Sequence, residues 1–80
     1  MGRLHKALVP SVTLRRIGPE RGETRLELPA GARVRDALRA AGIHPDMVLI
    51  ARGEPRHVVP DDEPLVDGEE LLVMRVVTGG

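Results

Sequence analysis

Residues 71–80 read Leu-Leu-Val-Met-Arg-Val-Val-Thr-Gly-Gly, an apolar, β-branched run that passes directly into two glycines. Such a run predicts a strand that can be buried on both faces. Gly79 and Gly80 have no Cβ and lose the most backbone entropy on folding, so they predict an end that does not pack. We therefore predict a final strand followed by a flexible tail over residues 77–80, with the terminal carboxylate as the chemically important group.

The composition excludes several classes of function. A chain of 80 residues predicts one small domain, and the absence of cysteine excludes disulfides, thiol nucleophiles and zinc–thiolate sites. Twelve basic residues balance twelve acidic ones, which argues against a nucleic acid or an anionic membrane as partner. The absence of Phe, Tyr and Trp removes the base-stacking residues of common RNA and single-strand binders. With no signal peptide and no apolar run near the ~20 residues of a membrane span, we expect a cytoplasmic protein.

The hydrophobic periodicity predicts an alternation of strands with a single helix. Residues 1–7 carry no pattern and are expected to be frayed. Gly and Pro residues between the apolar segments predict the turns. In chain order, the predicted elements are a strand over residues 8–17, a strand over 24–28, a helix over 33–41, a strand over 47–52, a short edge segment over 56–59 and the final strand.

The helix has a clear end and a weak beginning. Gly42 occupies the position of a left-handed C-cap, and Pro45 prevents the helix from resuming. No Ser, Thr, Asp or Asn stands at the expected N-cap. The apolar stripe, at helical spacing i, i+3, i+4 and i+7, consists of Val34, Ala37, Leu38 and Ala41.

One helix covers only one face of a sheet of four or five strands, so the other face is predicted to be open. The final strand has apolar residues at both parities, with Leu71 and Val73 predicted to face the core. Scattered surface aliphatics are common in small sheets. A contiguous apolar surface more often marks a docking site for a protein partner. The residues predicted for this open face are Leu72, Met74 and Val76, with Ile50 of the third strand beside them.

The remaining polar residues predict no catalytic or metal site. His5, His44 and His57 are widely spaced, without carboxylate partners at ligand spacing, and His44 is read as a turn residue. The acidic residues 61–63 form either a solvated loop or a surface that steers the protein towards a basic partner. Arg75 is either structural or pairs with an acidic residue of a partner.

Three segments carry a resemblance to a known family. Residues 28–38 (LPAGARVRDAL), residues 64–69 (PLVDGE) and the terminal residues 77–80 (VTGG), taken with the predicted element order, resemble the ubiquitin-like β-grasp sulfur carriers of the ThiS/MoaD family. These proteins serve thiamin thiazole synthesis, molybdopterin synthesis and tRNA 2-thiolation. The resemblance implies an α+β fold of the ubiquitin-like β-grasp type, in which a mixed four- to five-stranded sheet has one main helix packed on one face.

The resemblance also implies a function for the tail. A ubiquitin-activating-type adenylyltransferase would use ATP and Mg to adenylate the carboxylate of Gly80. A sulfurtransferase or cysteine desulfurase would then supply the sulfur of a thiocarboxylate, and a sulfur-acceptor synthase would receive it. The carrier itself is not an enzyme and binds no cofactor. The residues implied to thread the partner's active site are Val77, Thr78 and Gly79, and those implied to dock on the partner are Ile50, Leu72, Met74, Arg75 and Val76.

Two alternatives remain open at this point. A ubiquitin-like protein modifier would join Gly80 to a target lysine, and the single lysine of this chain, Lys6, argues against lysine-linked chains of the protein itself. A β-grasp interaction module would have no tail chemistry, and deletion of Gly79 and Gly80 would then leave its function intact. The receiving pathway is also open. The turn at residues 52–54 is similar to that of the thiazole branch, and the lack of aromatic residues disfavours the molybdopterin branch.

Overall fold

The final strand lies at the centre of a five-stranded sheet. The computed structural model describes residues 9–18 and 21–76. Its elements are strand β1 (Ser11–Ile17), strand β2 (Gly22–Glu27), helix α1 (Val34–Ala40), a single-turn 3-10 helix (Pro45–Met47), strand β3 (Val48–Arg52), strand β4 (His57–Val59) and strand β5 (Glu70–Arg75). The strands are arranged in the order β2-β1-β5-β3-β4. The neighbours β1 and β5 are parallel and all other neighbours are antiparallel.

This architecture confirms the predicted α+β class, the mixed sheet with one main helix, and the pairing of the last strand with the first. The predicted helix over residues 33–41 is one residue too long at each end. The predicted edge segment is confirmed, because β4 pairs only with β3 within the described part of the chain. The first strand begins at Ser11 instead of residue 8, and the prediction for residues 1–7 lies outside the described residues.

The core lies between α1 and one face of the sheet. Val34, Ala37 and Leu38 of the predicted stripe are fully buried, and Ala41 packs against them while partly exposed. They meet the inward-facing side chains of the strands, whose alternation along each strand places every second residue on this face. These side chains are Val12 and Leu14 of β1, Ile50 of β3, Val59 of β4, and Leu71 and Val73 of β5.

Helix α1 is capped by a distant loop at its beginning and by its own backbone at its end. The backbone N–H groups of Val34 and Arg35 donate to the carbonyl oxygens of Glu63 and Asp61, each at 2.8 Å. These bonds satisfy two of the donors that a helix leaves unpaired in its first turn. The Asp36 carboxylate also accepts a hydrogen bond from the Arg33 N–H at 2.8 Å, so the helix begins without a Ser, Thr, Asp or Asn at the N-cap. At the other end, Gly42 has φ +77° and the Ile43 N–H donates to the Leu38 carbonyl, as in a Schellman motif. The predicted role of Gly42 is confirmed.

The acidic loop is held in place by Arg52, the last residue of β3. Its guanidinium donates to both carboxylate oxygens of Glu69, at 3.0 and 2.8 Å, and to the Pro64 carbonyl at 2.8 Å. A longer bond of 3.3 Å reaches Glu63. The Arg52 and Glu69 side chains are only 13% and 12% exposed, so the pair is largely withdrawn from water. The loop that follows β4 is therefore part of the fold as well as an acidic surface.

Candidate functional site

The candidate site is the face of the sheet that points away from α1. Along β5, Leu71 and Val73 are buried in the core, whereas Leu72 and Met74 point to the other face and are partly exposed. This confirms the predicted alternation of the final strand. The structure thus brings two of the predicted docking residues onto one uncovered surface.

Ile50 does not lie on this surface, so the prediction that placed it there is wrong. Its side chain is 3% exposed and stands opposite Val73 in the pairing of β3 with β5. The residue on the open face is its neighbour Leu49, which is 47% exposed and stands opposite Met74. A shift of one residue in register moves every side chain of a strand to the other face. Because β3 is apolar at both parities, its sequence alone did not determine which residues face the core.

Apolar side chains form a row across the three central strands near the end of β5. Met74 pairs with Ile17 of β1 on one side and with Leu49 of β3 on the other. Directly paired residues have Cβ atoms about 4.5–5.5 Å apart, close enough for the side chains to touch. Leu72 extends the surface one row back, next to Ala51. We call Ile17, Leu49, Leu72 and Met74 the outer apolar patch.

Exposed ion pairs border the outer apolar patch on the side away from the tail. Glu70, the first residue of β5, lies 3.0 Å from Arg56 and 3.6 Å from Arg15. Arg15 also pairs with Glu23 of β2 at 3.3 Å. An apolar centre with a polar rim is the usual composition of a protein docking surface. Because these ion pairs lie around the start of β5, they leave the outer apolar patch open towards the end of that strand.

The base of the tail is fixed to the sheet beside this patch. Arg75, the last residue of β5, pairs with Val48 of β3, and the Val76 N–H donates to the Met47 carbonyl at 3.0 Å. Val76 is partly buried. Side chains alternate along β5, so Arg75 lies on the same face of the sheet as Val73. This is the face that carries the helix, and Arg75 is therefore not part of the outer apolar patch. The tail residues predicted to carry the chemistry, Val77, Thr78, Gly79 and Gly80, lie outside the described residues.

The two histidines that the structure describes, His44 and His57, are not arranged to bind a metal together. His44 precedes the 3-10 helix, and its Nδ1 accepts a hydrogen bond from the Asp46 N–H at 3.3 Å, which confirms its reading as a turn residue. His57 lies on β4, and His5 is outside the described residues. Within residues 9–18 and 21–76, no group of three or more His, Asp or Glu side chains is placed to hold a metal ion.

Sequence reasoning missed two members of the outer apolar patch, Ile17 and Leu49. Ile17 ends a strand whose other outward residues are polar, so its alternation gave no sign of an apolar surface. Leu49 sits in a continuous apolar run, where either parity fits the core. The pairing of both residues with Met74 is the signal that identifies them, and it exists only in the folded sheet.

The chain was compared with models of known protein families and with curated proteins, and it matches none of them. Among the residues that the structure describes, no helix has the length and apolar character to cross a membrane.

Proposed function

We propose that this protein is a sulfur carrier with a ubiquitin-like β-grasp fold, whose Gly80 carboxylate is adenylated by a partner enzyme and converted to a thiocarboxylate. The observation that carries the proposal is the outer apolar patch at the end of the central strand, immediately before the tail. A partner that docks on this patch receives residues 77–80 in a defined direction. The described part of the chain therefore supplies what a tail substrate needs, namely a docking surface joined to a fixed base.

The patch is suited to a reversible association. Ile17 and Leu49 are each about half exposed. Covering a half-exposed aliphatic side chain contributes roughly 1 kcal/mol, because full burial of such a side chain contributes about 1.5–3 kcal/mol. Two such side chains, together with the smaller exposed parts of Leu72 and Met74, support binding that is specific but weak enough for release after each transfer. A carrier that visits an activating enzyme, a sulfur donor and an acceptor in turn requires release of this kind.

The segment that precedes the tail is fixed to the sheet up to Val76. β5 is hydrogen-bonded to β1 on one side and to β3 on the other. A partner that binds the residues after β5 therefore leaves this strand in the sheet. Beyond the strand, the glycines at positions 79 and 80 present no side chain to the walls of a narrow channel. In the proposed chemistry, the carboxylate attacks the α-phosphate of ATP and pyrophosphate leaves. A persulfide of the donor enzyme then attacks the carbonyl carbon and displaces AMP, which leaves an acyl disulfide. A thiol cleaves this disulfide by exchange, so the thiocarboxylate is released and the thiol forms a disulfide with the donor.

Intact mass spectrometry of the protein from its own cells, prepared without added thiols, tests the proposal. Replacement of one carboxylate oxygen by sulfur adds about 16 mass units, and fragmentation assigns the increase to the terminal peptide. A variant that lacks Gly79 and Gly80 is the matched control and should show no such increase. Larger species linked through Gly80 to a lysine would indicate a protein modifier instead. An unmodified tail, together with no adenylation by any activating enzyme of the same cells, would refute the carrier function.

A second experiment tests the docking role of the outer apolar patch. Leu49→Asp should raise the KM of the carrier in the adenylation reaction at least tenfold while kcat stays unchanged, because it places a charge in the contact surface. Val66→Asp is the matched control, since Val66 is similarly exposed, at 56%, and lies on the turn before β5, outside the patch. Equal KM values for the two variants would remove the patch from the interface.

A further inference from the structure

A cavity of about 290 Å³ lies at the end of the sheet where β5 stops. Its walls come from the ends of β1 and β5, the start of β3 and the segment between α1 and the 3-10 helix. The aliphatic part of the lining consists of Ile17, Ile43, Met47, Val48 and Val73, and the basic part consists of Arg16, His44 and Arg75. Among the described residues that line the cavity, none is acidic.

Arg16 is the most informative residue of this lining. It alternates with Leu14 along β1 and therefore lies on the helix side of the sheet, where it is partly buried. Within the described residues, no carboxylate or carbonyl group pairs with its guanidinium, whereas the adjacent Arg15 pairs with both Glu23 and Glu70. A guanidinium has five N–H donors in a planar fork that matches a carboxylate. The guanidinium of Arg16 is partly buried beside the cavity, so it can donate hydrogen bonds to an acceptor of another molecule that enters the cavity.

His44 adds a second donor to the same cavity. Its Nδ1 accepts the Asp46 N–H, which leaves Nε2 as the ring nitrogen that can donate to another acceptor. Asp46 is the nearby acid, with Oδ2 at 3.9 Å from Nδ1, but its side chain is 85% exposed and does not line the cavity. The cavity therefore combines a basic rim with an aliphatic floor.

The size and chemistry of the cavity favour an acidic peptide segment over a nucleotide or a lone phosphate. The chain contains no Phe, Tyr or Trp, and the only ring in the described lining is the imidazole of His44, whereas nucleic-acid binders stack successive bases on several aromatic side chains. A phosphate would use the basic rim and leave the aliphatic floor uncovered. The volume of about 290 Å³ is at the small end of the range for ligand pockets. It suits one carboxylate side chain together with a neighbouring aliphatic one.

We infer that this cavity receives an acidic, aliphatic segment of the protein partner that takes up the tail. Ile17 belongs both to the cavity lining and to the outer apolar patch, so the two surfaces are continuous around the end of the sheet. A carboxylate that pairs with Arg16 and His44 adds charge complementarity to apolar docking, which speeds association and excludes partners without that acid. The identity of the partner rests on the proposed function, whereas the chemistry of the cavity does not.

An NMR titration tests the cavity without any partner enzyme. The probe is the peptide acetyl-Leu-Asp-Ile-Glu-Leu-amide, and its control is the same peptide with Asn and Gln in place of the acids. The acidic peptide should shift the backbone amides of Arg16, Ile43 and Val48, and Arg16→Glu should weaken binding at least tenfold, equivalent to about 1.4 kcal/mol. Arg25→Glu, a charge reversal on the exposed side of β2, should leave binding unchanged. Equal binding of both peptides, or no effect of Arg16→Glu, would overturn the inference.

Adenylation kinetics separate this inference from the proposed function. Arg16→Gln, which removes the charge and keeps hydrogen-bonding capacity, should raise KM for the activating enzyme severalfold at unchanged kcat, and Arg16→Glu should raise it further. Far-UV circular dichroism establishes that both variants are folded. If no enzyme adenylates the wild-type chain, the proposed function fails while the titration still decides the cavity. If adenylation proceeds and neither variant changes KM, the cavity is not part of the interface and the inference is wrong.

Discussion

Replacing Arg52 should destabilise the fold far more than replacing any exposed arginine of the sheet. Arg52→Met keeps most of the side-chain length and removes all the hydrogen bonds to Glu63, Pro64 and Glu69. Among the residues that the structure describes, the donor left to the Glu69 carboxylate is then the Val66 N–H, at 2.7 Å. A carboxylate that is 12% exposed is left almost without compensation.

The magnitude follows from this burial. Removing one partner of a buried ion pair typically destabilises a protein by about 3–5 kcal/mol. Because Arg52 and Glu69 both keep a small exposure to water, we expect Arg52→Met to lie near the lower limit, at about 3 kcal/mol. The total stability of a domain of this length is roughly 4–12 kcal/mol. For a domain this small, a loss of 3 kcal/mol lowers Tm by about 12–24 °C.

Urea and thermal unfolding followed by far-UV circular dichroism measure the effect, since the chain has no aromatic residue to serve as a fluorescent probe. Arg56→Met is the matched control, because the Arg56–Glu70 pair at 3.0 Å is 38% and 35% exposed and should contribute less than about 1 kcal/mol. Adding Glu69→Gln to Arg52→Met should recover part of the loss by removing the stranded charge. Equal losses for Arg52→Met and Arg56→Met would refute the role assigned to Arg52.

Three further outcomes are expected. Leu71→Ala should lower the free energy of unfolding by about 2–5 kcal/mol because Leu71 is fully buried, whereas Leu49→Ala should change it by less than about 1 kcal/mol in the same urea titration. Gly42→Ala should destabilise the fold by about 1 kcal/mol, because φ of Gly42 is +77°. Gly22→Ala is the control and should not destabilise it, since Gly22 has no positive φ and has open space at its Cβ position. Equal Tm values for the two variants would contradict the role of Gly42. Asp36→Ala removes the carboxylate that accepts from the Arg33 N–H at 2.8 Å, so it should lower the free energy of unfolding by about 1 kcal/mol and lower Tm accordingly. A Tm equal to that of the wild type would exclude this capping bond.

Local patterning was sufficient to predict the order of the elements and the faces of β5. The alternation of buried Leu71 and Val73 with Leu72 and Met74 follows from the period of a strand once one face is covered by the helix. The end of α1 was equally readable, because Gly42 supplies a conformation that other residues rarely adopt. These features depend on residues that are adjacent in sequence.

The features that sequence did not reveal depend on contacts between distant segments. The register that buries Ile50 and exposes Leu49 is set by pairing with β5, more than twenty positions along the chain. Two of the donors at the start of α1 are satisfied by carbonyl oxygens of the loop after β4, and no residue near Arg33 indicates that contact. Arg52 looked like part of a turn, yet it fixes the acidic loop. The cavity next to Arg16 likewise depends on the fold, because it forms where the ends of β1 and β5 meet the start of β3 and the segment after α1.

The order of strands in the sheet also has a consequence for how the protein is made. The pair β1–β2 and the pair β3–β4 have no shared ladder in the described sheet, because β5 lies between them. The two hairpins therefore cannot join into one sheet until the last strand pairs with both of them. Pairings between segments far apart in sequence form slowly, so both inner edges stay exposed until β5 is in place. The strand that bears the tail is also the strand that completes the fold, and a chain truncated before it would present two open edges to the cell's chaperones and proteases.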